Sequence, residues 1–232
     1  LSINTRLQQA LEHELLHAMT TFSAIGAAGI VMDIHTGEIL AMTSLPQLNP
    51  NAAGQGSPEA RFNRATLGVY ELGSTFKPFT VAMAMDSGIV KSFGQIYNCP
   101  DELRAYGKTI NDTHPFGRQC TVAEIMKESS NIGTAQIAAQ PRSARQKEFL
   151  RKMGFLSPIE IEIRERGRTL TPGNNWGPLE TMTVGYGHGI AVTPLHLATG
   201  YATLFNGGIY RPPTLLKVDK NHAAGKGHRV FT

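Results

Sequence analysis

Leu7, Leu11, Leu15 and Ala18 recur at helical spacing, which predicts an amphipathic helix over residues 4–20. Asn4 or Thr5 can cap its start by accepting hydrogen bonds from backbone donors that lack a partner within the helix. The period then changes. Residues 27–34 are apolar and β-branched, His35-Thr36-Gly37 reads as a turn, and residues 38–43 are strand-like again, so an antiparallel β-hairpin is expected. Pro46 to Pro58 is rich in Asn, Gly, Gln and Pro and predicts an exposed loop. From Ser74 to Met85 the chain is apolar nearly all round, the pattern of a helix buried within a domain.

Further along, Val122–Glu128 and Ile132–Ala139 read as two helical pieces with Ser129-Ser130-Asn131 between them. Gln146–Met153 predicts a charged helix stopped by Gly154, and Pro172–Pro178 a loop. Thr193-Pro194 opens an apolar helix, with the threonine capping and the proline tolerated in the first turn, and Asn206-Gly207-Gly208 closes it. A hairpin followed mostly by helices, without internal repeat, implies an α+β domain whose remaining strands come late in the chain. Few late strands are visible.

The length of 232 residues allows one large domain or two small ones. With 41% hydrophobic and 17% charged residues, the composition excludes a disordered chain. The longest near-apolar stretch, Phe22 to Met32, is too short to cross a bilayer. The chain opens on Leu1 rather than methionine, with no charged-then-apolar signal region, so an excised piece of a longer polypeptide is expected. The formal net charge of +4 raises the question of a nucleic-acid partner. However, the basic run Arg142, Arg145, Lys147, Arg151 and Lys152, continued by Arg164, Arg166 and Arg168, is interrupted by Glu148, Glu160, Glu162 and Glu165 and holds few aromatics for base stacking. It reads as a solvated helix face, and no nucleic acid is expected. Cys99 and Cys120 form no CxxC pair; in an oxidising compartment they can form one disulfide, in a reducing one they stay thiols.

His13-Glu14-Leu15-Leu16-His17 matches the HExxH pattern of zinc peptidases, in which two imidazoles on one helix face bind the metal and the glutamate is general base. Here both histidines fall opposite the Leu7, Leu11, Leu15 stripe, on the solvent face of a terminal helix where a metal has no cleft. Thr20 stands where the extended pattern requires glycine. Zinc chemistry through His13, Glu14 and His17 is the remote alternative, and no metal or organic cofactor is expected.

Ser74-Thr75-Phe76-Lys77 carries more. Residues three apart at the start of a helix share a face. A serine hydroxyl is a poor nucleophile until a base removes its proton, and a lysine is a base only once its pKa falls. Burial among Phe76, Phe79 and Met83 and the positive end of the helix dipole both favour that fall. Backbone donors at the helix start can stabilise an oxyanion, and Gly73 lets a substrate carbonyl approach closely. SxxK alone is a weak signal, its bland reading a capping serine and a surface lysine. Ser129-Ser130-Asn131 adds a second element of S-x-N form: a serine able to relay a proton and an amide able to hold a peptide group.

Together these residues resemble the class B penicillin-binding proteins, most closely the division-specific peptidoglycan D,D-transpeptidases of Gram-negative bacteria. The resemblance runs along nearly the whole chain. Asp33-Ile34-His35-Thr36-Gly37-Glu38-Ile39-Leu40-Ala41-Met42 is similar to the family's opening strands. Arg61-Phe62-Asn63-Arg64-Ala65-Thr66 and Tyr70-Glu71-Leu72-Gly73-Ser74-Thr75-Phe76-Lys77 resemble the segment that delivers its nucleophile. Ser129-Ser130-Asn131-Ile132-Gly133 is similar to its second motif, and Gly187-His188-Gly189 with Thr193-Pro194 resembles a later lining stretch. The implied fold is β-lactamase-like, an antiparallel sheet flanked by helices. Ser74 is implied as acyl-accepting nucleophile, Lys77 as general base, Ser129 as proton relay and Asn131 as the residue that positions the donor peptide. The implied substrates are stem peptides, a D-Ala-D-Ala donor and an amine acceptor, with β-lactams as mimics of the donor. The resemblance also implies a membrane glycosyltransferase and other division proteins as partners, and a site on the periplasmic side of the inner membrane.

One departure is large. The family's third motif, K-T-G or K-S-G on an inner strand, is absent, and Lys226-Gly227 lies in a glycine-rich turn and does not replace it. The chain ends at a point where the family continues towards that strand. Residues 1–232 are therefore expected to be a transpeptidase domain lacking its C-terminal strands, with the membrane anchor and non-catalytic domain elsewhere. The missing wall would hold the substrate carboxylate and a second oxyanion donor, and losing one such donor costs about 10²–10³ in rate. A penicillin-binding sensor or scaffold without turnover is the alternative from a non-enzymatic class.

Overall fold

The computed structural model describes residues 1–219 and 227–232; Gly225 and Lys226 of the C-terminal run lie outside the described residues. In chain order the elements are α1 (Thr5–Phe22), β1 (Ala27–Met32), β2 (Ile39–Leu45), α2 (Pro58–Arg61), α3 (Lys77–Asp86), β3 (Ile96–Cys99), β4 (Glu102–Ala105), β5 (Lys108–Asn111), β6 (Arg118–Thr121), α4 (Val122–Lys127), α5 (Asn131–Ala139), α6 (Arg142–Lys152), α7 (Pro178–Gly185), α8 (Pro194–Phe205), β7 (Ile209–Tyr210) and β8 (His228–Arg229). Short 3₁₀ turns stand at Pro50–Gln55, Gly73–Phe76 and Gly173–Asn175. None of the described helices is long and apolar enough to cross a membrane.

The chain divides into two units. The first comprises Leu1–Tyr70, Met153–Thr169 and Val192–Val230. Its centre is the predicted hairpin, β1 antiparallel to β2 with Ile30 opposite Met42. The turn closes because Asp33 Oδ1 accepts the amides of His35 and Thr36 at 2.8 and 3.1 Å. The strands carry α1 on one face and α8 on the other. Gly29 lies under Leu11 and Leu15 of α1, where a Cβ would come within 2.7 Å of Leu11. Its neighbour Ile30 points the opposite way, as strand periodicity requires, and joins Ile39, Ile159 and Leu195 of α8. Asn4 caps α1 as expected, its Oδ1 accepting from Arg6 and Leu7. Gln8 of α1 covers the outer edge of β2 by bonding both the amide and the carbonyl of Met42. Such cover blunts an edge that would otherwise pair with another chain.

The second unit comprises Glu71–Lys152, Leu170–Ala191 and Phe231–Thr232. Buried residues of α3, α4 and α5 meet in one cluster, Val81 and Ala84 against Ile125 and Ile137. Gly133 of α5 exists for that contact, since a Cβ there would stand 2.4 Å from Ile125. Gly185 of α7 likewise approaches Ala138. The single tryptophan, Trp176, is buried here and donates from Nε1 to Gln146 Oε1 at 3.0 Å. Gln146 of α6 in turn donates to the carbonyl of Thr181 on α7. Only the first part of the basic run is a helix, α6, with Arg145 paired to Asp86 at 2.8 Å and to Glu148 at 3.2 Å. Arg164, Arg166 and Arg168 are exposed on non-helical chain of the first unit, so the helix face expected for the whole run does not extend to them.

Between α3 and α4 the chain makes two small antiparallel pairs, β3 with β6 and β4 with β5. Cys99 and Cys120 are joined at the base of this excursion, both buried against the helical cluster. A loop of this length implies a stabilisation of about 3 kcal/mol. Replacing both cysteines by serine is accordingly expected to lower the melting temperature by several degrees in a thermal scan. An unchanged melting temperature would mean that the strands need no covalent closure.

Three expectations need correction. The loop from Pro46 to Pro58 holds a 3₁₀ turn at Pro50–Gln55 and ends where α2 begins. The helix expected from Ser74 to Met85 begins as an α-helix only at Lys77, because Pro78 has no N–H to reach the carbonyl of Ser74. The amide of Lys77 takes that carbonyl instead, one residue short, and the preceding turn is 3₁₀. The strands beyond the hairpin do not come late as expected: β3 to β6 lie mid-chain between Ile96 and Thr121, and the late strands β7 and β8 are only two residues each.

Candidate active site

In a 3₁₀ turn the side chains of residues three apart eclipse one another. Ser74 lies inside such a turn and Lys77 closes it, so the S-x-x-K spacing aligns the serine and lysine side chains along one line. Ser74 is exposed, whereas Lys77 is only 2% exposed. The Lys77 ammonium donates to the backbone carbonyl of Ser129 and, at 2.9 Å, to the Ser129 hydroxyl. Burial pulls its pKa down to about 8, against an opposing pull from the carboxylate of Asp112.

Ser129 reaches Lys77 because its backbone is left-handed, with φ of 58°. That conformation is costly for a residue with a Cβ, and such cost concentrates at functional positions. It forms the break between α4 and α5. Upstream, Thr121 and Glu124 cap α4 reciprocally. Downstream, the buried Ser130 caps α5 by accepting from Gly133 at 2.9 Å. Asn131 is the first residue of α5, and its side-chain amide donates to the carbonyl of Asn111 at 3.0 Å.

Asp112 ties this corner together. One carboxylate oxygen accepts the Ser130 hydroxyl at 2.6 Å and the other accepts the amides of Asn131 and Ile132. A carboxylate on free amides at a helix start is favoured by hydrogen bonding and by the helix dipole. Sequence reasoning missed Asp112. It follows a short polar strand and belongs to no local motif, and only the fold brings it to Ser130.

The Gly187-His188-Gly189 segment lies against the turn that bears Ser74. The amide of Gly73 donates to the carbonyl of Gly187 at 3.3 Å, and a Cβ on Gly187 would stand 2.1 Å from the carbonyl oxygen of Gly73. Gly187 also has φ of 82°. Gly187→Ala therefore meets both a backbone clash and a left-handed conformation. It is expected to destabilise the protein by about 1–3 kcal/mol and to displace the serine turn, so that both the melting temperature and penicillin acylation fall. Acylation at the parent rate would show that the turn tolerates the shift.

The HExxH residues are on α1, which belongs to the first unit. His13 and Glu14 are 79% and 74% exposed and contact each other at 3.2 Å, and His17 is exposed too. No group of three His, Cys, Asp or Glu able to hold a metal occurs among the described residues.

Residues 27–230 match the model of the penicillin binding protein transpeptidase domain. The chain belongs to that family. The probable peptidoglycan D,D-transpeptidase FtsI of Caulobacter vibrioides is 38% identical over 232 residues, which cover 100% of this chain and 39% of that protein. Peptidoglycan D,D-transpeptidase FtsI of Escherichia coli K12 is 35% identical over 233 residues, 38% of its length. The chain thus spans well under half the length of these curated relatives. Among solved structures, a peptidoglycan glycosyltransferase from Burkholderia ambifaria aligns with a TM-score of 0.87 at 28% identity, over 100% of this chain and 69% of that one. The apo TP domain of Burkholderia pseudomallei penicillin-binding protein 3 aligns with the same score and identity over 65% of its chain. The α+β architecture of this transpeptidase domain is therefore the penicillin-binding, β-lactamase-like fold that the sequence resemblance implied.

Proposed function

We propose that this chain is the catalytic part of a peptidoglycan D,D-transpeptidase that works through an acyl-enzyme on Ser74. The observation that carries the reading is the seat of Lys77: a buried amine with its pKa near 8, one 3₁₀ turn from an exposed serine and bonded to Ser129. Neutral Lys77 takes the Ser74 proton as Oγ attacks the carbonyl carbon of the penultimate D-Ala. The peptide C–N bond breaks, and the terminal D-Ala leaves with a proton relayed through the Ser129 hydroxyl. An acceptor amine then attacks the ester, a new amide forms, and its proton returns to Ser74 Oγ through Lys77. One amide is broken and one made, with no water or oxidant consumed. Asn131 holds the donor's peptide group. A β-lactam enters as a donor mimic and traps Ser74.

In this reading residues 1–232 are most of a transpeptidase domain. Its K-T-G or K-S-G strand, membrane anchor and non-catalytic domain belong to a longer polypeptide acting at the septum on the periplasmic side of the inner membrane. Its partners are a membrane glycosyltransferase and other division proteins. The FtsI relatives support the septal assignment. The test is to incubate the intact parent protein with labelled penicillin and map the adduct by mass spectrometry. A label on the Ser74 peptide, lost in Ser74→Ala, is expected. Folded parent labelled elsewhere, or not at all, defeats the reading. Acylation without cross-linking of stem peptides assigns the protein to the sensor class instead.

A further inference from the structure

A 3₁₀ turn is a weak support for a nucleophile. Its hydrogen bonds are poorly aligned, and Gly73 at φ of 54° brings little restraint of its own. On the buried side the turn is anchored by Phe76 and Lys77. On the solvent side it meets the Gly187–Gly189 loop, which is fixed to α7 by the amides of Gly187 and His188 bonding the carbonyls of Val184 and Thr183, both at 3.0 Å. Glu71, three residues before Ser74, spans the two. Its Oε1 accepts the Gly189 amide at 3.1 Å, and its Oε2 lies 3.2 Å from His188 Nδ1. The His188 ring stacks on Tyr186, with ring centroids 6.3 Å apart.

From this geometry we infer that Glu71 is a positioning residue for Ser74. It straps the serine turn to the loop that closes α7, so that the framework of α5 and α7 sets the height of the nucleophile above Lys77. The strap needs a side chain of glutamate length with an acceptor at its tip; charge is secondary. A glutamine meets both requirements, its oxygen accepting from Gly189 and its amide reaching His188 Nδ1. An aspartate is one methylene too short. The inference rests on Ser74 being the acylated residue.

The test measures penicillin acylation of the intact parent protein and separates the acylation constant k2 from the dissociation constant Ks of the initial complex. A misplaced reacting atom slows the chemical step and spares ground-state binding. Glu71→Ala and Glu71→Asp are expected to lower k2 by about 10-fold to 100-fold, with Ks within about twofold of the parent. Glu71→Gln is expected to keep most of k2, and all three to keep the parent's melting temperature. Unchanged k2 in Glu71→Asp, or a loss in Glu71→Gln equal to that in Glu71→Asp, overturns the strap. The aspartate and glutamine variants decide the matter even if the alanine variant does not fold. A Ser74→Ala control that still acylates overturns the nucleophile assignment instead, so the two failures are distinguishable.

Discussion

Acylation of Ser74 is expected to climb about tenfold per pH unit on the acid side and to level off above about pH 8, because only the neutral amine of Lys77 can take the serine proton. Burial is the larger influence on that amine, and it disfavours the charged form. The sign is unambiguous: below the pKa the lysine is protonated and cannot act as base, and raising the pH frees it. Lys77→Ala is expected to slow acylation by roughly 10²–10⁴ and to remove the pH dependence. Lys77→Arg is the sharper test. A guanidinium can still hydrogen-bond the Ser129 carbonyl and hydroxyl, yet it never becomes neutral in a protein. If bonding to Ser129 were all that mattered, arginine would rescue the rate. If proton transfer matters, it will not. A profile that stays flat from pH 6 to 9, or that rises only near the ordinary lysine value, would count against Lys77 as the base.

Asp112→Asn is expected to move that acid limb to lower pH. The carboxylate stabilises the Lys77 ammonium and so raises its pKa; a neutral amide gives no such support, and the pKa drops further below 8. Asparagine retains an oxygen for the amides of Asn131 and Ile132, so the corner can keep its shape while the charge is lost. An unmoved or upward-shifted midpoint would show that Asp112 does not act on Lys77 electrostatically. Asp112→Ala removes the acceptor as well. It strands the Ser130 hydroxyl and two helix amides, which costs about 1–3 kcal/mol for a buried group left unsatisfied. Loosening the start of α5 also releases Ser129 and Asn131 from their places, so k2 and melting temperature are expected to fall together. Comparing the two variants separates the charge of Asp112 from its shape.

Much of this was legible in the sequence because it depends on local rules. The Leu7, Leu11, Leu15 stripe announced α1, and Asn4 its cap. The change of period around His35-Thr36-Gly37 announced the hairpin, and Thr193-Pro194 opened α8 as expected. The serine–lysine spacing and the Ser129–Asn131 break were both readable, and the fold brings Lys77 onto Ser129. What escaped depends on long-range contact. β3 alternates in burial, but Ile96 is 60% exposed while Cys99 is buried, so hydrophobicity and pattern point in opposite directions. α7 is too short and too mixed to show a helical period. Gly187 stood out in the sequence only through the resemblance of Gly187-His188-Gly189 to a lining stretch of the family, and its need for a bare Cα becomes visible only once Gly73 lies against it. Asp112 has no motif at all. The 3₁₀ start of the serine turn could have been read from Pro78, which denies the carbonyl of Ser74 an α-helical partner.

The placement of Trp176 has an experimental consequence. Excited at wavelengths the tyrosines do not absorb, a chain with one indole has one emitter, and this one is buried beside α6 in the unit that carries Ser74, with Lys147 poised over its ring at 5.3 Å. Indole emission from residues 1–232 therefore reports on that unit alone. A red shift during denaturation marks the moment when solvent enters there, whatever the hairpin unit is doing, and no dye or engineered label is needed to follow it.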